Sequence, residues 1–162
     1  MGKSQGYLAS GIALSLMFSL ASAQQLPKAG SIAVHTGWKS TGEAVEVADK
    51  RMQGHGSVIG ITFNDKGAGP LHGGPASCFY VFFANDAGTK NKGYCAFGDA
   101  DGDRIFTDWH GSQGTEGGQG INEIVGGTGK YAGIQGSGPW KCKDAFANGQ
   151  LNCTQRFDYR LP

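Results

Sequence analysis

Three carboxylates alternate in "GDADGDRIF": Asp99, Asp101 and Asp103. Alternating aspartates supply the hard oxygen ligands of calcium loops. An EF-hand also needs Gly at its sixth position and Glu at its twelfth; counted from Asp99, those places hold Arg104 and His110. The EF-hand is excluded. The aspartates stay candidates for a cation at a loop tip, against the favoured reading of a hairpin turn at Asp101-Gly102. Downstream, Asp108, His110, Glu116 and Glu123 are the acid–base candidates. Glu123, in "GINEIV", alternates onto the side of Ile121 and Val125. If that side faces inward, burial raises the carboxyl pKa and equips it for proton transfer. If Asn122 and Ile124 face inward instead, Glu123 is solvated. His35, His55, His72 and His110 form no H-x-H or H-E-x-x-H pattern, and there is no G-x-S-x-G.

The stretch "IVGGTGKYAGIQGSG", residues 124–138, poses a different question. A phosphate-binding P-loop needs Gly at 124 and Ser or Thr at 131, where the chain has Ile124 and Tyr131. Gly127, Gly129 and Ala132 satisfy the dinucleotide fingerprint on paper, but that motif must open a helix. Gly133, Gly136, Gly138 and Pro139 forbid one. The stretch reads as a tight connection between strands, with Lys130 and Tyr131 crossing the rim.

The ends and the composition narrow the function classes. Lys3 precedes the apolar run "YLASGIALSLMFSLASA", which is short and interrupted for a membrane span and ends in Ala21-Ser22-Ala23. This is expected to be a signal peptide, residues 1–23, cleaved after Ala23, leaving a single domain over 24–162 that is secreted or periplasmic and off the membrane. The chain has 14 basic and 13 acidic residues, and without Lys3 they balance. A neutral chain lacking Lys/Arg runs has no footprint for nucleic acid or an anionic membrane. All four cysteines fall after the leader, which in an exported protein points to two disulfides.

The apolar residues alternate with period two, and long helical periodicity is nearly absent. In "QLNCTQRFDYRL", Leu151, Cys153, Phe157, Tyr159 and Leu161 share one face. "SIAVHTGW" aligns Ile32, Val34, Thr36 and Trp38; "GSVIGITFN" aligns Ile59, Ile61 and Phe63; "EAVEVAD" reads as a short strand. "SCFYVFFA" is apolar on both faces and is expected to be the most buried strand. Eight or nine strands emerge, with "ADG" and Asn148-Gly149 as turns. The pattern is all-β, that of an antiparallel β-sandwich or a closed barrel. Hairpin geometry favours Cys78–Cys95 and Cys142–Cys153 as facing cross-strand pairs. A barrel of this size is filled by side chains or holds one small ligand. Tyr80, Trp109, Trp140 and Tyr159 are the pocket candidates.

"VGGTGKYAGIQGSG" resembles the GGTG-(K/R)-(F/Y)-x-G-x-x-G signature of allene oxide cyclase and dirigent proteins, and "GYCAFGDADGDRIFTDW" resembles their exported bacterial branch. The resemblance is loose over residues 55–160 and specific only around GGTGKY. It implies an antiparallel eight-stranded barrel, calycin-like in shape, which makes an up-and-down barrel the expected fold and a β-sandwich the alternative; the barrel is often trimeric or dimeric in plant members, whose interior binds a small hydrophobic substrate without metal or organic cofactor. No catalytic residue carries over by position, and the paired cysteines depart from the plant cyclases. Three functions are therefore expected: a barrel binding a small hydrophobic or aromatic molecule; a cofactor-free cyclase or isomerase using Glu123 or Asp108; or a structural, surface-interaction protein with a filled interior.

Overall fold

The structure, a computed structural model, describes residues 25–114, 117–143 and 148–162. The expected signal peptide, its cleavage point after Ala23, and Glu116 lie outside these residues. Eight strands follow one another: β1 (Ala29–Ala48), β2 (Arg51–Asn64), β3 (Gly74–Asn85), β4 (Gly88–Gly98), β5 (Arg104–Gly114), β6 (Gly117–Gly127), β7 (Gln135–Cys142) and β8 (Gln150–Arg160). Each pairs antiparallel with the next, and β8 returns to β1, so the sheet closes into an up-and-down barrel. "EAVEVAD" is not a separate strand. It continues "SIAVHTGW" in one 20-residue β1, because β2 stays paired with it from Val34↔Asn64 to Ala48↔Arg51.

Both disulfides form between directly opposed residues, Cys78 with Cys95 on β3–β4 and Cys142 with Cys153 on β7–β8. Each restrains a short loop in the unfolded chain, worth about 3 kcal/mol by the chain-entropy estimate.

Alternation organises the strands, and the structure decides which face of each points inward. On β1 and β8 the apolar face is inside, with Val34 and Phe157 fully buried. On β2, Ile59, Ile61 and Phe63 do share a face, and it is the outer one. On β3, Phe79, Val81 and Phe83 point outward while Cys78, Tyr80 and Phe82 point in, so this strand is not the most buried. On β6, Asn122 and Ile124 face the interior and Glu123 faces solvent with Ile121 and Val125. The physical reason is a belt of paired polar groups across the middle of the barrel. Thr36 donates to Gln155 at 3.2 Å and lies 2.9 Å from the Thr62 hydroxyl; Thr107 donates to Asn122 at 3.2 Å. Buried polar groups that find partners carry little penalty. The interior therefore accepts the more polar face of β2 and β6.

One end of the barrel is shut. Tyr131 does not cross the rim: it turns inward and is 0% exposed, at the end of a single 3₁₀ turn, Gly129–Tyr131. Its hydroxyl donates to Asp99 at 2.6 Å. The Lys130 ammonium lies 2.7 Å from Asp99, 2.6 Å from Asp101 and 3.8 Å from Asp103. Thus the three aspartates read as a candidate calcium loop converge on a lysine from the glycine-rich stretch. The Leu71 amide, from the β2–β3 loop, also donates to Asp99. Gly129 has a left-handed φ of 53°, and a Cβ there would stand 1.8 Å from the Asp103 carboxylate, so only glycine fits. Thr128 accepts from the Arg104 amide at 2.9 Å. The glycine-rich connection thereby binds to the β4–β5 turn. That turn matches expectation, with Gly102 at a positive φ of 96°.

Charge in this cluster has a defined pH window. The Lys130 hydrogen bond holds the Asp101 carboxyl below its ordinary value of 3.8, although burial opposes this. Burial pushes the Lys130 ammonium down, but its hydrogen bonds to Asp101 and Asp99 prevail and raise it above 10.5. A depressed carboxyl contributes stability above its unfolded value and loses it as pH falls through the folded one. A raised amine keeps its contribution up to alkaline pH. Lys130→Met is expected to cost about 3 kcal/mol at pH 7, because Asp99 then stays buried without its cation. Urea unfolding at pH 7 and pH 3 checks this: the gap between wild type and variant narrows at the lower pH.

Candidate ligand cavity at the open end of the barrel

The opposite end carries the β1–β2 and β3–β4 connections with the ends of β5 and β7, and among the described residues it opens into the lumen. A cavity of about 630 Å³ runs in from it, floored by Trp38 and Phe97 and walled by Tyr80, Phe82, Trp109 and Trp140. Phe97 stacks edge-on against Trp38 at 6.0 Å and Phe157 at 5.1 Å, separating the cavity from the closed end. Both disulfides, Asn122 and Gln155 complete the wall.

The barrel is hollow because its large rings lie against the wall. Trp140 rests over glycines of the neighbouring β5 and β6. A Cβ on Gly111 would stand 2.3 Å from its ring, on Gly120 2.8 Å and on Gly118 3.1 Å. Tyr80 lies likewise over Gly56, where a Cβ would come within 2.5 Å of its hydroxyl oxygen. Glycine in a strand interior weakens the strand but permits such close approach. Every Cβ omitted at these positions lets a ring lie flatter, which opens lumen volume that side chains would otherwise fill.

The rings also bring polar handles. Trp109 and Trp140 meet edge-to-face at 5.4 Å and 90°. Their indole N–H groups, and the Asn91 side-chain oxygen, are buried without a protein partner among the described residues. The Tyr80 hydroxyl lies 3.1 Å from that of Ser40. With their oxygens accepting from Thr36 and Thr107, the Gln155 and Asn122 carboxamides keep N–H donors beside the cavity.

The residues singled out in the sequence separate cleanly. Tyr80, Trp109 and Trp140 come together in the cavity. Tyr159 is buried but lies outside the cavity lining, with burial raising its hydroxyl pKa. Glu123 and Asp108 are direct cross-strand neighbours on the outer face, so neither is the inward carboxylate envisaged for proton transfer. Of the two orientations open for Glu123, the solvated one is found; alternation alone does not say which side is inside. His35 pairs with Asp65 at 2.8 Å on the surface. No cluster of three or more His, Cys, Asp or Glu fit to hold a metal occurs among the described residues. Sequence reasoning missed Phe82, Asn91 and the glycines beneath Trp140. The signal for the last was present as Gly111, Gly118 and Gly120 at paired positions of two strands, but it needs the register to be read.

No family model and no curated protein matches this chain. Among solved structures it is similar to a pterocarpan synthase dirigent protein, at 14% identity and TM-score 0.54, over 85% of this chain and 94% of that one. At that identity the likeness is one of fold: the chain has a dirigent-like β-barrel.

Proposed function

We propose that this protein is an exported binding barrel of the bacterial dirigent-like branch, taking one small flat aromatic or other hydrophobic molecule end-on into its lumen. The observation that carries this reading is the dead-ended cavity of about 630 Å³ walled by Tyr80, Phe82, Trp109 and Trp140. Its volume falls within the ~300–1,000 Å³ of small-molecule sites, and its mix of apolar wall and few polar groups is theirs as well. A ligand oxygen near Trp109 or Trp140 would give their indole N–H groups an acceptor, and a ligand hydroxyl could donate to Asn91. Export is supported by the leader-like N-terminus and by two disulfides, which persist in oxidising compartments. No helix among the described residues is long and apolar enough to cross a membrane.

Binding is favoured over a cyclase or isomerase reaction by the wall itself. Its described residues include no carboxylate and no imidazole, and the ionisable ones are Tyr80 and Lys143. A purely structural role with a filled lumen is disfavoured by the cavity volume.

The three tryptophans of the chain, Trp38, Trp109 and Trp140, all line the cavity, so intrinsic fluorescence reports on it directly. Titration with 2-naphthol and with neutral phenylpropanoids is expected to give saturable quenching with a dissociation constant on the order of 10 µM. Absence of saturation by any of them up to millimolar concentration would overturn the reading. Gly118→Val should push Trp140 off the wall into the lumen and weaken binding by about tenfold, or ~1.4 kcal/mol. Far-UV circular dichroism of this variant should match wild type.

A further inference from the structure

The barrel closes over only part of β1. This 20-residue strand pairs with β8 from Ala29↔Arg160 to Lys39↔Gln150, while its pairing with β2 continues to Ala48↔Arg51. Beyond Ser40, β1 is therefore an edge of the sheet at the open end. The Ser40 N–H donates across to the Gly149 carbonyl, so the N–H and C=O of every second residue after it point to the same side. On that side Gly42, Ala44 and Glu46 each present a donor and an acceptor that no backbone bond among the described residues takes up. All three residues are exposed. Only residues 144–147 join Lys143 to Asn148, and the Lys143 amide is bonded to Asn152, level with Gly37 on β1. At ~3.3 Å per residue, that link is too short to follow β1 to Glu46 and return.

A row of open backbone groups on a strand edge is a template for pairing with another chain. We infer that this edge takes an extended, basic segment of another protein as an added strand. Backbone hydrogen bonds to Ala44 and Glu46 hold the segment, and its alternate side chains select it. The selection is by charge and shape. Glu43 and Glu46 are exposed carboxylates in no ion pair among the described residues. Glu46 stands on the lumen side of the strand, the side of Trp38 and Ser40, and its neighbours there are the small Gly42 and Ala44. Val45 and Val47 are exposed on the outer side, with Glu43. A segment alternating Lys or Arg with β-branched residues matches both sides: its cations lie beside Glu46 and its apolar side chains on Val45 and Val47. A second copy of this chain does not match. No Lys or Arg occurs between Ser40 and Ala48, so edge-to-edge pairing gathers Glu43 and Glu46 of both copies in one ladder without a cation. An acidic segment is rejected for the same reason.

Fluorescence anisotropy on the disulfide-bonded chain tests this, with a fluorescein-labelled, end-capped octapeptide alternating lysine and valine as the probe. Saturable binding is expected, with a dissociation constant on the order of 100 µM that rises with added salt. Ala44→Pro deletes an N–H aimed away from β2, a change that an edge strand tolerates. It should weaken binding by about tenfold or more, with unchanged near-UV circular dichroism. Glu46→Lys, a substitution at an exposed position, should weaken binding of the lysine peptide by about tenfold and admit the same peptide with glutamate in place of lysine. Absence of saturation up to ~1 mM overturns the proposal. So does equal affinity of wild type for the two peptides, which would mark unselective adhesion. Undiminished binding by either variant overturns it too, because the contact would then lie elsewhere than this edge.

Discussion

The Asp99 carboxylate is the point on which the shape of this molecule depends. It receives the Tyr131 hydroxyl and the Lys130 ammonium from the glycine-rich connection, and the Leu71 amide from the β2–β3 loop. Only 4% of Asp99 is exposed, and a carboxylate so enclosed is tolerable only when its oxygens are bonded and its charge is matched. These conditions bind three loops together and seat Tyr131 in the barrel axis. A ring of eight strands thus becomes a cup, with one end plugged and the other open. Burial, and then the bond to Asp99, push the Tyr131 hydroxyl far above the ordinary tyrosine range, so it stays a donor at any physiological pH.

Given a cup, the lumen could still have been filled. It is not, because the wall supplies glycines where the rings would otherwise be driven inward. The rings lying on Gly111, Gly118, Gly120 and Gly56 are those lining the cavity, Trp140 and Tyr80. Strand stability lost at each glycine is offset by the aromatic surface laid over it, the neighbouring disulfides and the closed ladder. The polar belt beneath does a second job: it fixes which face of β1, β2, β5, β6 and β8 is internal, and so sends Ile59, Ile61 and Glu123 outward.

Much of the fold was legible in the residues, and the reasons are local. Period-two alternation, turn residues at Asp101-Gly102 and Asn148-Gly149, and cysteines equidistant from their turns specify strands, hairpins and disulfide pairs through neighbours in the chain. What stayed open shares one cause. Periodicity reports that Ile121, Glu123 and Val125 lie together, as do Ile59, Ile61 and Phe63, but which side faces the lumen depends on partners far away in sequence. The usual rule that the apolar side is internal misleads here, because the interior holds bonded threonines and carboxamides while the exterior carries a second apolar surface.

The sequence by itself determined an all-β chain with two short-range disulfides and a GGTGKY segment that is no nucleotide cradle, since these follow from local sterics and from spacing. Only the tertiary structure decided what that segment does, because Lys130 and Tyr131 find their partners 27 to 60 residues away along the chain. It alone decided that the lumen is open, that Tyr80, Trp109 and Trp140 meet there, and that Asp108 and Glu123 stand outside. Each of these is a matter of register and closure, and a barrel acquires both only when its last strand pairs with its first.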